Sequence, residues 1–217
     1  MPAKGGRYHH GDLQSALVDA AIGVIAERGV RDFSMAEASR RLGVTTAAPY
    51  RHFADRDELL AAVATRALTV FATMLSTAAD ADAAADADAD TVDSANTSAE
   101  RLAAMAGAYV RFAAQQRPLF DTLFNSGLDK SRHPELQRAW EPVDTLLTTA
   151  VLGVCDGDAV AAEVLSDAIE ASAHGYAMLL NDGEYGRGAD VVRATADRAT
   201  AAARALIAGR RALRTKA

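Results

Sequence analysis

The spacing of apolar residues along the chain predicts an all-α protein. Between Leu13 and Ile25, apolar side chains recur at intervals of three and four residues, which places them on one face of a helix. Comparable stripes continue through the chain and predict about nine helices in all. No segment alternates apolar and polar residues for long enough to predict a strand. We therefore expect helices packed on helices.

Local signals near the N-terminus predict a helix-turn-helix. Ser34 and Glu37 form a capping box that opens a short helix, and Gly43 supplies the tight turn that ends it. Thr45 is placed to cap a further short helix that runs to about Phe53. Two short helices joined by a glycine turn are typical of this motif, whose second helix enters the major groove of DNA. The predicted fold is a three-helix N-terminal head, joined by a long helix to a larger helical bundle.

Residues 78–96 form a low-complexity segment with repeated aspartates and neither lysine nor arginine. We interpret it as a solvated loop or a frayed helix end. It lacks the glycine and the closing glutamate of an EF-hand loop, which argues against calcium. The sequence contains no metal-ligand cluster, nucleophile motif or phosphate loop, so we expect no metal, no cofactor and no enzymatic activity.

The charge of the chain is unevenly distributed. The net charge is −6, but residues 1–56 hold eight Lys/Arg against six Asp/Glu, a net charge of +2, so the remainder carries −8. A mildly basic head on an acidic body is compatible with DNA contact through the head alone. The single cysteine, Cys155, excludes an intrachain disulfide and lies among apolar neighbours, which predicts a buried or half-buried thiol.

The sequence also predicts a cytoplasmic location. The N-terminus has no hydrophobic signal region, and no apolar run approaches the roughly 20 residues needed to span a bilayer. We therefore expect neither export nor a membrane partner.

Three motifs occur at fixed spacing within residues 12–60: Gly43-Val44-Thr45, Tyr50-Arg51-His52-Phe53 and Arg56-Asp57-Glu58-Leu59-Leu60. In these motifs the segment resembles the TetR family of bacterial regulators. One subgroup of the family is similar in its opening Tyr8-His9-His10-Gly11-Asp12-Leu13, in Ala48-Pro49, in a C-terminal tryptophan, Trp140, and in the pair His174-Gly175. Two positions depart from the usual pattern: Pro49 replaces a common leucine and Arg56 replaces a common lysine. The resemblance implies a DNA-binding domain at 1–56 and a ligand-binding and dimerisation domain at 57–217.

The resemblance also implies the residues that bind double-stranded DNA. Residues at the start of the recognition helix would face base edges, and others would contact phosphates or, from the N-terminal arm, an adjacent minor groove. Tyr50 and Phe53 have a second interpretation as core aromatics, and His52 as an ordinary surface histidine. The implied DNA-binding residues are Lys4, Arg7, Ser34, Thr45, Thr46, Ala47, Tyr50, His52 and Arg56.

The C-terminal domain is expected to enclose an apolar cavity for a small, largely apolar effector. Trp140 and His174 are the strongest candidates, because each brings a polar atom that needs a partner when buried. The alternative is that these residues are simply core. The candidate pocket residues are Met105, Tyr109, Phe112, Phe120, Phe124, Trp140, His174 and Met178.

The last two long helices are implied to pair with their symmetry mates in a homodimer. A dimer places two recognition helices in successive major grooves, so the operator is expected to be a near-palindrome. The candidate interface residues are Val164, Ala168, Ala171, Gly175, Thr195, Ala199, Ala202 and Leu206. The predicted function is a repressor released by an effector, and the alternatives are a DNA-binding dimer without an effector or a ligand-responsive activator.

Overall fold

A computed structural model describes residues 10–85 and 94–213 of the chain, and within these ranges it is all-α, as predicted. Short 3₁₀ turns lie at Pro49–Arg51 and Lys130–Arg132. The helices are α1 (His10–Arg28), α2 (Met35–Leu42), α3 (Arg56–Ala85), α4 (Ser94–Gln115), α5 (Arg117–Asn125), α6 (Pro134–Val154), α7 (Ala159–Asp182), α8 (Ala189–Ala208) and α9 (Arg210–Leu213). Of the acidic segment, residues 78–85 belong to α3 and residues 94–96 to α4, while 86–93 lie outside the described ranges.

The chain divides into two compact units whose limits fall inside helices. Unit 1 comprises Met1–Ala67 and Pro118–Arg138, and unit 2 comprises Leu68–Arg117 and Ala139–Ala217. Unit 1 extends beyond the boundary predicted after residue 56, because the first turns of α3 bury Leu59, Leu60 and Val63 completely. These side chains belong to the core of the head.

Glycines with positive φ end the first two helices of unit 1. Gly29 has φ +83° and its N–H donates to the Ile25 carbonyl at 2.8 Å, while Gly43 has φ +67° and ends α2. A side chain at either position would strain the backbone, because residues other than glycine rarely adopt this conformation. α1 packs against α2, with Leu17 and Ala21 fully buried. The two glycines therefore fix where the helices of the head end.

Small residues bring the helices of unit 2 close together. α4 packs against α7 and α8, and α7 packs against α8. A Cβ atom at Gly107 of α4 would overlap Thr200 Oγ1 and lie 3.2 Å from the Ala196 carbonyl oxygen of α8. Val110, Leu180, Ala196 and Ala199 form a buried cluster in the same unit. The packing of this core therefore depends on how closely the helix backbones approach one another, more than on large side chains.

One helix corrects the expectation that nothing in the chain is long and apolar enough to cross a membrane. The segment Arg56–Ala81 passes that test by length and composition, because alanine and threonine separate its larger apolar residues without adding charge. Half of its most apolar window is buried within the fold.

Cys155 follows the last residue of α6 and is buried, as predicted. Burial raises the pKa of its thiol, which keeps the thiol protonated and unreactive.

Candidate functional site

The first helix of the helix-turn-helix is capped as predicted, but through half of the expected capping box. Ser34 Oγ accepts the Glu37 N–H at 3.3 Å. The Glu37 carboxylate instead pairs with Arg28, at 3.1 Å, and with Arg40. Its hydrogen bond with Arg40 and the neighbouring arginine charges lower the Glu37 pKa, so it stays ionised. The carboxylate therefore ties α1 to α2.

The recognition element is shorter than predicted. Where an α-helix from Thr45 was expected, the structure has only the 3₁₀ turn Pro49–Arg51, and Thr45 accepts a single turn bond from the Ala48 N–H at 3.0 Å. Pro49 explains the difference, because it has no N–H to donate and its ring clashes with the carbonyl four residues earlier. The turn closes when the N–H groups of His52 and Phe53 both reach the Pro49 carbonyl at 2.9 Å.

The turn separates a core residue from a group of exposed ones. Phe53 is 2% exposed, so it is a core aromatic, whereas Tyr50 is 59% exposed, which excludes the core interpretation for Tyr50. His52 is half-buried. The predicted base-contacting residues are all exposed: Thr45, Thr46 and Ala47. The structure thus brings Tyr50 and these three residues together on one short, solvent-facing turn.

Arg56 lies in a different environment from the other predicted DNA contacts. Its guanidinium donates to the carbonyl oxygens of Val30, at 2.8 Å, and Phe33, at 3.1 Å. Other arginines of the head are also engaged by the protein: Arg41 donates to Glu27 at 2.7 Å, and Arg40 pairs with Glu37. The arm residues Lys4 and Arg7 lie outside the described residues.

The structure joins two of the predicted pocket residues directly. Tyr109 of α4 and His174 of α7 share a hydrogen bond of 2.8 Å between Oη and Nδ1. Burial, with the nearby Glu170 carboxylate, raises the pKa of the Tyr109 phenol far above its usual range, so the phenol stays neutral. Phe71, which the sequence reasoning missed, contacts the ring of Tyr109 at 5.3 Å and that of Phe112 at 4.8 Å.

The remaining pocket candidates are divided between the two units. Phe120 and Phe124 lie in unit 1, where their rings are 4.9 Å apart. Met105 is buried in unit 2, and Trp140 and Met178 are half-buried there. The eight residues therefore combine core positions with partly open ones, which sequence spacing alone did not separate.

A groove of about 540 Å³ in unit 2 was not predicted from the sequence. Its polar lining comes from α4 and α6, which are far apart along the chain, so no local motif marks it. The groove is lined by Thr97, Ser98, Arg101, Thr145, Leu146, Thr149 and Ala150.

Two of the predicted dimer-interface residues are buried within the protomer. Thr195 and Ala199 are 0% and 1% exposed, because α8 turns them inward within its own chain. Ala171 is exposed, and the other five candidates, Val164, Ala168, Gly175, Ala202 and Leu206, are half-buried.

The exposed face of α7 is longer than the predicted stripe. It begins at Val160, which is 73% exposed, and ends at Leu179, which is 43% exposed. A Cβ atom at Gly175, between them, would meet no other atom within 4 Å. Val160 and Leu179 thus lie at opposite ends of the stripe of small residues on α7.

Groups of three or more His, Cys, Asp or Glu side chains placed to hold a metal ion are absent from the described part of the chain.

Comparison with known proteins identifies the family. Residues 17–63 match the model for bacterial regulatory proteins of the tetR family, and residues 102–206 match the tetracyclin repressor-like C-terminal domain. No curated protein matches the chain significantly.

Solved structures share the fold over nearly the whole chain. A protein of unknown function from Rhodococcus sp. RHA1 is 26% identical, with a TM-score of 0.63, covering 91% of this chain and 98% of that one. A TetR-like transcriptional regulator from Rhodococcus sp. RHA1 is 20% identical, with a TM-score of 0.64, covering 94% and 100%. RolR in complex with resorcinol is 20% identical, with a TM-score of 0.53, covering 91% and 93%. Because both family models match, the protein belongs to the TetR family of bacterial transcriptional regulators.

Proposed function

We propose that the protein is a cytoplasmic, homodimeric repressor that binds a near-palindromic operator and leaves it when a small, largely apolar effector binds in unit 2. The observation that carries the proposal is the exposed turn around Pro49, which presents Thr45, Thr46, Ala47 and Tyr50 to solvent. An exposed tyrosine on a basic head has a hydroxyl suited to phosphate, and threonine hydroxyls bond either type of base edge.

The short recognition turn affects how the DNA is read. Two threonines and an alanine offer few base-specific donors, and one 3₁₀ turn reaches less far along a groove than a full helix. We infer that backbone contacts from Ser34, Tyr50 and His52, together with DNA shape, supply much of the affinity.

Selection from a pool of random duplexes, followed by sequencing of the bound fraction, tests the DNA-binding part. We expect a near-palindrome whose binding weakens as salt is added. Tyr50→Phe, which removes only the hydroxyl, should weaken binding, and Tyr185→Phe is the matched control in unit 2. A pool that yields no enriched sequence at low salt would contradict the proposal.

The dimer is supported by the exposed face of α7. Because Val160 and Leu179 leave apolar surface in water at either end of a small-residue face, pairing with a second copy would bury both. Val160→Glu with Leu179→Glu should shift the protein to monomer in analytical ultracentrifugation, whereas Glu163→Gln should not.

The effector part of the proposal is supported by Tyr109 and His174. A buried, neutral phenol bonded to an imidazole gives a largely apolar interior one polar point at which a ligand hydroxyl can be recognised. RolR, which shares the fold, binds resorcinol, so small phenols are a reasonable first probe for this chain. Titration of phenols against the operator complex should find one that releases the DNA and loses effect in His174→Ala; release by none would favour a dimer without an effector.

We propose that α3 transmits the effector signal, because this continuous helix contributes residues to both units. Coupling between effector and DNA is expected to be about 1–3 kcal/mol. Thr69→Gly with Thr73→Gly, at exposed positions of α3, should reduce the ability of effector to release DNA, and the matched double alanine variant should not. Full induction in the glycine variant would show that the signal travels elsewhere. A reporter gene then separates repressor from activator.

A further inference from the structure

Arg56 is the first residue of α3, yet its side chain reaches the loop between α1 and α2. Nη2 donates to the Val30 carbonyl at 2.8 Å and Nε donates to the Phe33 carbonyl at 3.1 Å. The guanidinium carbon lies 5.9 Å from the centre of the Phe33 ring, within cation–π distance. Nη1 lies 3.4 Å from Asp57 Oδ1. All three nitrogens of the guanidinium therefore have a partner within the protein.

The two carbonyls belong to a loop that regular secondary structure does not satisfy. α1 ends at Arg28 and α2 begins at Met35, so the intervening carbonyls must find donors elsewhere or stay open to water. Val30 and Phe33 are only 4% and 3% exposed. The planar fork of arginine presents donors in two fixed directions, whereas a lysine ammonium is a single point on a flexible stem.

The position of this loop decides where the helix-turn-helix begins. Phe33 directly precedes Ser34, the N-cap of α2, and Arg56 starts the helix that follows the recognition turn. By donating to the Phe33 carbonyl, the Arg56 side chain thus links the two ends of the motif. Tyr50 and the exposed threonines lie between these ends and depend on their spacing.

We propose that Arg56 is a positioning residue that holds the helix-turn-helix in its DNA-binding shape, and that it does not contact phosphate. Its effect on DNA affinity rests on the proposed function, whereas its effect on the structure of the head does not. The proposal replaces the role that the family resemblance implied for this position.

The experiment compares Arg56→Lys and Arg56→Gln with the wild-type protein. Arg193→Lys and Arg193→Gln are matched controls, because Arg193 is 73% exposed and forms only an i,i+3 ion pair with Asp190 in unit 2. Three quantities are measured: Tm, hydrogen exchange of the Glu37 and Ala38 amides that bond to Ser34, and operator affinity over a series of salt concentrations.

If Arg56 positions the motif, lysine should fail almost as badly as glutamine. We expect both variants to lower Tm by about 4 °C and operator affinity by about tenfold, the equivalent of losing about one charged hydrogen bond. The Glu37 and Ala38 amides should exchange faster. The slope of log affinity against log salt should stay unchanged, because no phosphate contact is lost.

The opposite pattern would overturn the proposal. A phosphate contact predicts that Arg56→Lys behaves like wild type, and that Arg56→Gln reduces the salt slope by about 0.9 without changing Tm or exchange. If the wild-type protein selects no operator, the proposed function fails, and Tm and exchange still decide the role of Arg56.

Discussion

Both units have a buried apolar core, but they differ in how the helices around each candidate site are held. Around the helix-turn-helix of unit 1, directional polar bonds join the elements: Arg56 to two loop carbonyls, Ser34 to the Glu37 amide, and Arg41 to Glu27. Around the buried Tyr109 of unit 2, helices approach closely at Gly107 and rings pack around Phe112.

The difference matches what each unit is proposed to do. A DNA-reading surface must keep a few atoms at fixed spacing, and directional bonds impose spacing. A ligand-responsive body must have more than one packed arrangement of similar energy, and helices that meet through small side chains can shift against one another. Four substitutions test this comparison.

The largest effect is expected from Phe112→Ala in unit 2. Phe112 is fully buried and its ring lies 4.8 Å from that of Phe71. Removing the ring should lower the free energy of unfolding by about 3–5 kcal/mol, because the favourable transfer energy of the ring is lost and a cavity is left in its place. Urea unfolding measures it, with Phe112→Leu as a milder control. A loss below about 1 kcal/mol would mean that this cluster is not the centre of the unit 2 core.

Gly107→Ala should destabilise unit 2 by about 1–3 kcal/mol through overpacking. The added methyl would overlap Thr200 Oγ1 and press on the Ala196 carbonyl. Adding Thr200→Ala should recover part of the loss, while Thr200→Ala alone should cost little. Thermal unfolding of the three variants measures the coupling, and strictly additive effects would show that α4 and α8 are looser than the structure indicates.

Tyr109→Phe should change how stability depends on alkaline pH. Burial and then Glu170 raise the pKa of Tyr109 in the folded protein, so its contribution is fully present below the unfolded pKa of about 10. Above that pH the unfolded tyrosine ionises and the folded one does not, so stability falls by up to about 1.4 kcal/mol per pH unit.

Urea unfolding between neutral pH and alkaline pH compares Tyr109→Phe with wild type and with Tyr185→Phe. At neutral pH, Tyr109→Phe should lower the free energy of unfolding by about 1 kcal/mol, because the bond to His174 is lost. At alkaline pH, the stability of the variant should fall less than that of the wild type, because the variant has no phenol at this position to ionise. An identical decline in wild type and Tyr109→Phe would contradict the burial of this phenol.

The smallest effect is expected in the head. Ser34→Ala removes one N-cap bond and should cost about 0.5–1 kcal/mol in unfolding free energy. Ser34→Asp should restore the cap and the stability, yet weaken operator binding, because it adds a negative charge near phosphates. Urea unfolding and operator titration separate the two roles; unchanged operator binding in Ser34→Asp would remove Ser34 from the interface.

Helix ends were the most predictable part of the structure. The sequence predicted that Ser34 caps the N-terminus of α2 and that Gly43 ends this helix, and both predictions hold. Each depends on residues within one turn of the helix end, where a cap or a positive φ acts locally. The exception is also local: the sequence predicted a helix from Thr45 to about Phe53, and Pro49 limits it to a 3₁₀ turn.

The faces of the helices were harder to predict than their ends. In unit 2 alanine occupies both the buried and the exposed sides of α8, as at Ala199 and Ala201, so composition does not mark which side faces inward. The stripe of small residues that predicts Thr195 and Ala199 at an interface therefore does not show which side of α8 faces inward. Thr195 and Ala199 are buried because α4 packs against α8. The two helices are far apart along the chain, so no local sequence pattern marks this contact.

The sequence by itself determined the all-α class, the order of the helices and the helix-turn-helix, because caps, glycines and apolar spacing act over a few residues. Only the tertiary structure decided that Arg56 reaches back to Val30 and Phe33, that Tyr109 bonds to His174, and which side of α8 is buried. The first two outcomes join residues 23 to 65 positions apart along the chain, and the third joins α8 to α4. They depend on which helices pack together, and packing is a property of the whole core rather than of any local segment.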